Sequence, residues 1–357
     1  MSPEKEYQPV NNESLRELAV AILVKPGVPQ DDARVTADSL VEADLRGVHS
    51  HGMQRLPWYV KRLEKGGTNP TPDIRTISDT GAVAVVDGDG GLGQVVSHRA
   101  MALAIEKARA YGTGTVSVRN SHHFGTCAYW AEMALAHDMI GIAITNGGPI
   151  MAPWGGLTPT TSNDPVGVAI PAGQELPIVL DMATSVVAGG VLDVVARRGE
   201  KIPLGWALDS AGNPTDDPVA GRRGLLLPIG GHKGYGLTVV FEILAAVLAG
   251  ANFARDVPPP SELTRPMNIG HFFQAIDIGK FQPVEQFRAR VDDFIRQIKA
   301  SRLAPGTERI YVPGEPELEK RSAYLRQGIP LLKSVVEELH NLATRLGISQ
   351  LRLTAVR

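Results

Sequence analysis

Apolar positions recur at helical spacing in the opening part of the chain and at strand spacing beyond it. Leu15, Leu18, Ala19, Ile22 and Leu23 predict a helix over Asn12–Val24, which Pro26 and Pro29 end. Ala33, Val35, Ala37, Leu40 and Val41 predict a second over Gln30–Leu45, with Asp31 and Asp32 suited to its first turn. A histidine-rich turn follows, then a third helix over Arg55–Gly66. At Ala82 the period changes. Ala82–Asp87, Thr115–Arg119, Ile140–Thr145, Val166–Ile170, Ile178–Asp181 and Leu225–Ile229 are strand-like apolar runs. Helices are predicted between and after them, over Ser97–Tyr111, Cys127–His137 and Tyr235–Leu248. Arg255–Met267 is rich in proline and reads as an exposed excursion. Phe281–Ser301 and Pro330–Leu346 are amphipathic helices. The alternation predicts an α/β or α+β layered domain after a helical opening.

Chemistry concentrates in Ala43–Leu56, which holds His49, Ser50 and His51 between Arg46 and Arg55. An imidazole moves protons near neutral pH, and a guanidinium fork matches a carboxylate. A proton donor beside a carboxylate clamp suits chemistry on a small acid. Asn120–Gly125 carries His122 and His123, so four histidines offer an alternative metal site without an accompanying Asp-rich or Cys-rich spacing. Asp181 ends an apolar run, where it either orients a histidine or caps a helix. Gly230–Gly236 opens the long helix with Lys233, as an anion site or as a plain glycine turn. Gly88, Gly90 and Gly93 match the Gly-x-Gly-x-x-Gly dinucleotide fingerprint between a strand and a helix. No acidic residue ends the next strand at Arg119-Asn120, although Arg119 could meet a 2′-phosphate instead; the other reading of the glycines is a tight turn.

Composition narrows the class. A chain of 357 residues favours two domains, and 43% apolar with 21% charged residues is ordinary for a soluble protein. A formal net charge of -2 argues against a nucleic-acid binder. Cys127 is the lone cysteine, so no internal disulfide forms and a reducing compartment fits. Met1–Val10 is polar, and the apolar run Leu237–Phe253 contains Glu242 and is short for a membrane span. A cytoplasmic protein without membrane partners is expected.

Seven segments together resemble the type 2 malate/L-lactate dehydrogenase family, which also includes sulfolactate, ureidoglycolate and diketogulonate oxidoreductases and Δ1-piperideine-2-carboxylate reductases. They are Ala43–Gly52, Asn120–Gly125, Pro153–Gly156, Asp181–Ser185, Ile202–Asp209, Gly231–Leu237 and Val312–Glu315. The resemblance implies NAD- or NADP-dependent interconversion of a 2-oxo acid or cyclic imino acid with its 2-hydroxy or amino acid, NADPH slightly favoured. It implies a non-Rossmann α/β (α+β) fold: a helical N-terminal domain (1–78) joined by C-terminal helices (281–357), and a central mixed-sheet cofactor domain (79–280). The glycine fingerprint is then a decoy. A homodimer with the active site near the subunit interface is implied, and no metal.

By the same resemblance His51 is the proton donor, with Asp181 beside it and His123 a second acid/base candidate. Arg55 takes the substrate carboxylate, with Ser50 and Arg46 nearby. Cofactor contacts fall to Gly147, Gly148, Asp181, Met182, Ala183, Thr184, His232, Lys233, Gly314 and Glu315. Several positions depart from the family pattern. Gly147 stands where a serine is usual, His232 where a tyrosine is common and Gly189-Gly190 where Gly-Lys is usual. Thr161-Ser-Asn-Asp-Pro165 stands where Gly-Thr-Asn-Pro is common. A histidine–metal hydrolase and a non-catalytic dinucleotide-binding module are the rival readings.

Overall fold

The computed structural model describes residues 6–348 and 353–354. Helices α1 (Asn12–Val24), α2 (Gln30–Leu45) and α3 (Leu56–Glu64) pack into one apolar core, and the predicted stripe of Leu15, Leu18, Ala19, Ile22 and Leu23 is wholly buried in it. Asn11 caps α1 by accepting the Ser14 N–H at 3.0 Å. The chain's end returns to this core. Strand β1 (Tyr7–Val10) pairs antiparallel with β11 (Ile329–Leu332), and α11 (Lys333–Arg345) buries Val336, Leu339, Leu342 and Ala343 against α1 and α3. The predicted helix over Pro330–Leu346 therefore starts three residues late, because Ile329–Leu332 alternates inward and outward as a strand. Helix α10 (Glu315–Gln327) was not foreseen, and its Arg321 pairs with Glu42 of α2.

The second layer is a seven-stranded mixed sheet. Its strands are β2 (Arg75–Thr80), β3 (Val83–Asp87), β4 (Thr113–Ser121), β5 (Met139–Thr145), β6 (Val166–Ile170), β7 (Ile178–Met182) and β10 (Ile269–Asp277). They lie in the order β2-β3-β4-β10-β5-β6-β7, and only β3 and β4 pair parallel. One face is covered by α4 (Gly93–Tyr111) and α5 (Cys127–Glu132), around Trp130, Phe124 and Phe273. On the other face α8 (His232–Ala245) packs on β5 and β10. Helix α9 (Val284–Lys299) docks on the turn after β6, where Asp292 accepts the N–H groups of Gly173, Gln174 and Glu175. Thus α9 belongs with the sheet, whereas α10 and α11 belong with the helices. A small lobe holds α6 (Gly189–Arg197), β8 (Ala207–Leu208), α7 (Pro218–Arg223) and β9 (Leu225–Leu226) around Leu192 and Ile202.

The topology is not doubly wound, and the glycine fingerprint serves the backbone. Gly88 N–H donates to Arg119 O at 2.9 Å, and Gly90 N–H donates to Asn120 O at 2.8 Å. A Cβ on Gly93 would sit 2.2 Å from the His122 carbonyl oxygen. These glycines let the start of α4 press against the loop that carries His123. Arg119, the other half of the fingerprint test, is paired with Asp87 at 3.0 Å.

Candidate active site

A cavity of about 930 Å³ opens between the helical layer and the sheet. Its walls come from the turn after α2, the loops after β4, β5 and β7, the lobe at α6 and α7, and the proline-rich segment before β10. That volume is at the upper end for ligand pockets, as a large cofactor with a small substrate requires.

The His-Ser-His turn is folded by a buried carboxylate. Asp44, near the end of α2, accepts the Met53 N–H at 2.7 Å and bonds His49 Nδ1 at 2.7 Å. A Cβ on Gly52 would lie 2.2 Å from that carboxyl group, so glycine is required there. His49 is thereby committed to Asp44, and His51 enters the cavity. The His51 ring stacks on His123, with centroids 5.5 Å apart and planes 18° apart. Ser50 Oγ lies 3.0 Å from His51 Nδ1, and Tyr59 Oη lies 2.6 Å from His123 Nδ1. Burial pushes the Tyr59 phenol up to about 12, so it stays protonated and donates to His123. Arg55, four residues beyond His51 in the next 3-10 turn, donates through Nε to Ser50 O at 2.7 Å and lines the cavity.

The electrostatics oppose protonation of the free imidazoles. Burial first, and the Arg55 charge second, hold His51 down at about 4. His123 is pushed well below the ordinary histidine range by burial, and then by His51, Arg55 and His271. Asp181, on the opposite wall, is raised to about 6 by removal from bulk water. Its side chain is open to the cavity but ringed by protein, which reconciles local access with that desolvation. Asp181 accepts the Ala128 N–H at the start of α5, at 3.2 Å. Among the described residues it makes no hydrogen bond to His51, whose lowering has burial and the Arg55 charge as its causes.

Several predicted residues stand elsewhere. Arg46 reaches the cavity wall, but its fork is taken by Glu42 at 3.2 Å and Glu132 at 2.6 Å. That leaves Arg55 as the guanidinium beside the histidines with no carboxylate partner among the described residues. His122 is buried away from the cavity lining, so His49, His51, His122 and His123 do not converge on one point. Gly147, Gly148, Met182, Ala183 and Gly314 do line the cavity. A Cβ on Gly147 would meet Ser162 Oγ at 2.8 Å, and one on Gly314 would meet Val179 O at 2.6 Å. Thr184 is buried behind the wall, accepting from Thr238 Oγ1 at 2.7 Å. Glu315 is also buried, held by Lys299 at 2.9 Å, by Arg309 and by the Val312 N–H at 3.2 Å; Glu317 lines the cavity instead. His232 and Lys233 are exposed at the start of α8, outside the lining, although Ile229 just before their glycine turn is part of it.

Other lining residues were not foreseen. The proline-rich segment is a cavity wall, with Pro260 and Met267 on the inside. Trp58 Nε1 donates to Pro260 O at 2.9 Å, and the Arg62 guanidinium donates to the carbonyls of Glu262 and Arg265. Carbonyls drawn partly out of water need donors, and an arginine seven residues after Gly-Met-Gln-Arg was the available signal. In the lobe, Gly189 and Gly190 begin α6 at the cavity edge, and Arg222 of α7 reaches over them, its Nη1 3.9 Å from where a Gly189 Cβ would be. The pair Arg222–Asp193, at 3.3 Å, is solvent-exposed and therefore weak.

Two stacked imidazoles and a guanidinium with no carboxylate partner share one deep cavity with glycine-rich backbone, and the cavity has the volume for a cofactor beside a small molecule. The chain matches the malate/L-lactate dehydrogenase family over residues 10–340, and it belongs to that family. It is 42% identical to the malate dehydrogenase of Pyrococcus abyssi, over 98% of each chain. The sulfolactate dehydrogenase structure from Methanocaldococcus jannaschii superposes with a TM-score of 0.90 at 40% identity, covering 96% of this chain and 98% of that one. The Δ1-piperideine-2-carboxylate reductase from Pseudomonas syringae superposes with a TM-score of 0.85 at 30% identity, covering 94% of this chain and 100% of that one. The family and its named dehydrogenase and reductase members make this chain an oxidoreductase.

Proposed function

We propose that the protein uses a nicotinamide dinucleotide to interconvert a 2-oxo acid, or a cyclic imino acid, with the corresponding 2-hydroxy or amino acid. The observation that carries this reading is the convergence of His51, Arg55 and His123 on one cavity that Gly147 and Gly148 also line. When bound, the nicotinamide supplies or accepts hydride at the substrate C2.

The chain's own residues do the rest. Arg55 holds the substrate carboxylate, with its fork braced by Ser50 O. That contact has a second effect. Neutralising Arg55 removes one of the two influences that keep His51 unprotonated, so a docked carboxylate raises the imidazole's proton affinity. In reduction the His51 imidazolium gives its proton to the developing alkoxide or amine; in oxidation neutral His51 takes it back. His123 stacks on that ring and, held by Tyr59, fixes its place. Trp58, Pro260 and Met267 exclude water along one wall.

The cavity's dimensions and donors fit the dinucleotide. Gly147 and Gly148 admit its close approach, and the α6 N-terminus with Arg222 offers positive potential for its phosphates. Arg222 suits this task better than exposed Lys233 and is compatible with either NAD or NADP. Leu237, Val240, Ile243 and Val247 form an exposed apolar stripe along α8 and its extension, which supports a homodimer through this face. Light scattering of the purified protein at twice the chain mass is the expected result.

The direct test is a panel of 2-oxo acids and cyclic imines run with NADH and NADPH in parallel. Oxidation of either cofactor by a panel member is expected. Tight cofactor binding without turnover across the panel would favour the non-catalytic binding module. Activity lost on chelation and restored by zinc would favour the metal hydrolase.

A further inference from the structure

Behind the cofactor wall two carboxyl groups are buried together. Asp164, just before β6, is wholly buried, and neither of its oxygens meets a protein N–H or hydroxyl donor. Glu242, on the inner face of α8, is buried too. Its Oε1 accepts Asn146 Nδ2 at 3.0 Å and the Ala254 N–H at 3.1 Å, while Oε2 has no such donor. Glu242 is the one charged group among the described residues that bears on Asp164, and both Asp164 oxygens and Glu242 Oε2 are buried without a donor. Two ionised carboxylates in that position would be unpaired, desolvated and mutually repulsive. One proton shared between them satisfies both.

We propose that Asp164 is a positioning residue for the cofactor loop: it keeps a proton at neutral pH and donates it to Glu242 Oε2. The chain of consequence is short. Glu242 Oε1 grips the Asn146 amide, whose Oδ1 in turn accepts the Gly270 N–H at 3.0 Å and whose Nδ2 also reaches Asn252 O at 2.9 Å. With its side chain fixed inward, Asn146 presents the backbone of Gly147 and Gly148 to the cavity. Loss of the shared proton sets two carboxylates against each other beneath that loop. The inference rests on the cofactor assignment above. Asparagine often stands before the proline in the related pattern, where this chain has Asp164. Asparagine donates at every pH; aspartic acid donates only while protonated. Burial and Glu242 both push Asp164 well above the ordinary carboxylate range.

The sign follows. An acid that binds its proton more tightly when folded contributes stability below its unfolded pKa and loses it as pH rises through the folded value. The test compares the parent, D164N and E242Q from pH 5.5 to 9, with two readouts. In thermal melts without ligand, the parent is expected to lose Tm with rising pH relative to both variants, the gap widening toward alkaline pH. In NADH and NADPH fluorescence titrations, the parent's Kd should weaken by about tenfold over that range through this pair, and D164N should remove most of the slope. A constant Tm offset, or a Kd slope unchanged in both variants, would overturn the proposal. Absence of cofactor binding at any pH would instead overturn the cofactor assignment, and the melts would still decide the pair. If D164N does not fold, E242Q carries the comparison.

Discussion

The acid limb of the oxidation reaction is the sharpest consequence of the site's electrostatics. Oxidation needs neutral His51, and burial with the Arg55 charge lowers that group from 6.5 to about 4. The shift corresponds to about 3 kcal/mol against the imidazolium. At pH 7 only about 0.1% of the free protein carries that proton, against about a quarter for an unshifted histidine. Accordingly kcat/KM for oxidation should stay flat down to about pH 6 and fall only well below it. Arg55→Gln removes the smaller of the two causes. The limb should move up by about one unit, short of the ordinary value because burial remains. The same change removes the carboxylate clamp, so kcat/KM should also fall by about 10²-fold or more. The assay is initial-rate oxidation across pH 4.5–9 for parent and variant, with Asp181→Asn as a control, since that carboxyl titrates at about 6. A limb near 6.5 that survives in Asp181→Asn, or one that stays put in Arg55→Gln, would refute the reasoning.

Other outcomes follow from the same geometry. His51→Asn should lower kcat by about 10²–10⁴-fold with cofactor Kd unchanged, and His123→Asn should cost less; the reverse order in steady-state rates would make His123 the proton donor. Arg222→Ala should raise the cofactor KM by about tenfold with little change in kcat, because a phosphate contact is present in ground and transition states alike. A fall in kcat alone would place Arg222 in the chemistry instead.

Much of the fold was legible because local pattern and tertiary environment agree. The α1 stripe and the β5 run are apolar where they meet the core. Strand β10 escaped notice despite lying at the sheet's centre. His271 and Gln274 interrupt its apolar run, and only the pairing of His271 with Thr145 Oγ1 and Ser121 Oγ, both at 2.8 Å, makes a buried histidine tolerable there. Helices α6 and α7 are too short for periodicity to assert itself. At the site, residue types identified His51 and Arg55, which lie in two successive 3-10 turns joined at the extended Gly52. The type alone did not reveal that Arg46 and Glu315 are spent on ion pairs from distant segments. Glu132 lies 86 residues from Arg46, and such partners are set by topology. The Asp181 carboxylate is likewise met by a distant segment, since α5 presents the Ala128 N–H to it.

The central claim is hydride transfer to C2 of an acid held by Arg55 and protonated by His51. It is tested most directly by incubating the protein with reduced NAD or NADP deuterated at C4 and the 2-oxo acid and cyclic imine panel, then reading the product by mass spectrometry. The account predicts deuterium at C2 of a hydroxy or amino acid product, and a sharp loss of that product with His51→Asn. A product without the label, or undiminished labelling in His51→Asn, would contradict it.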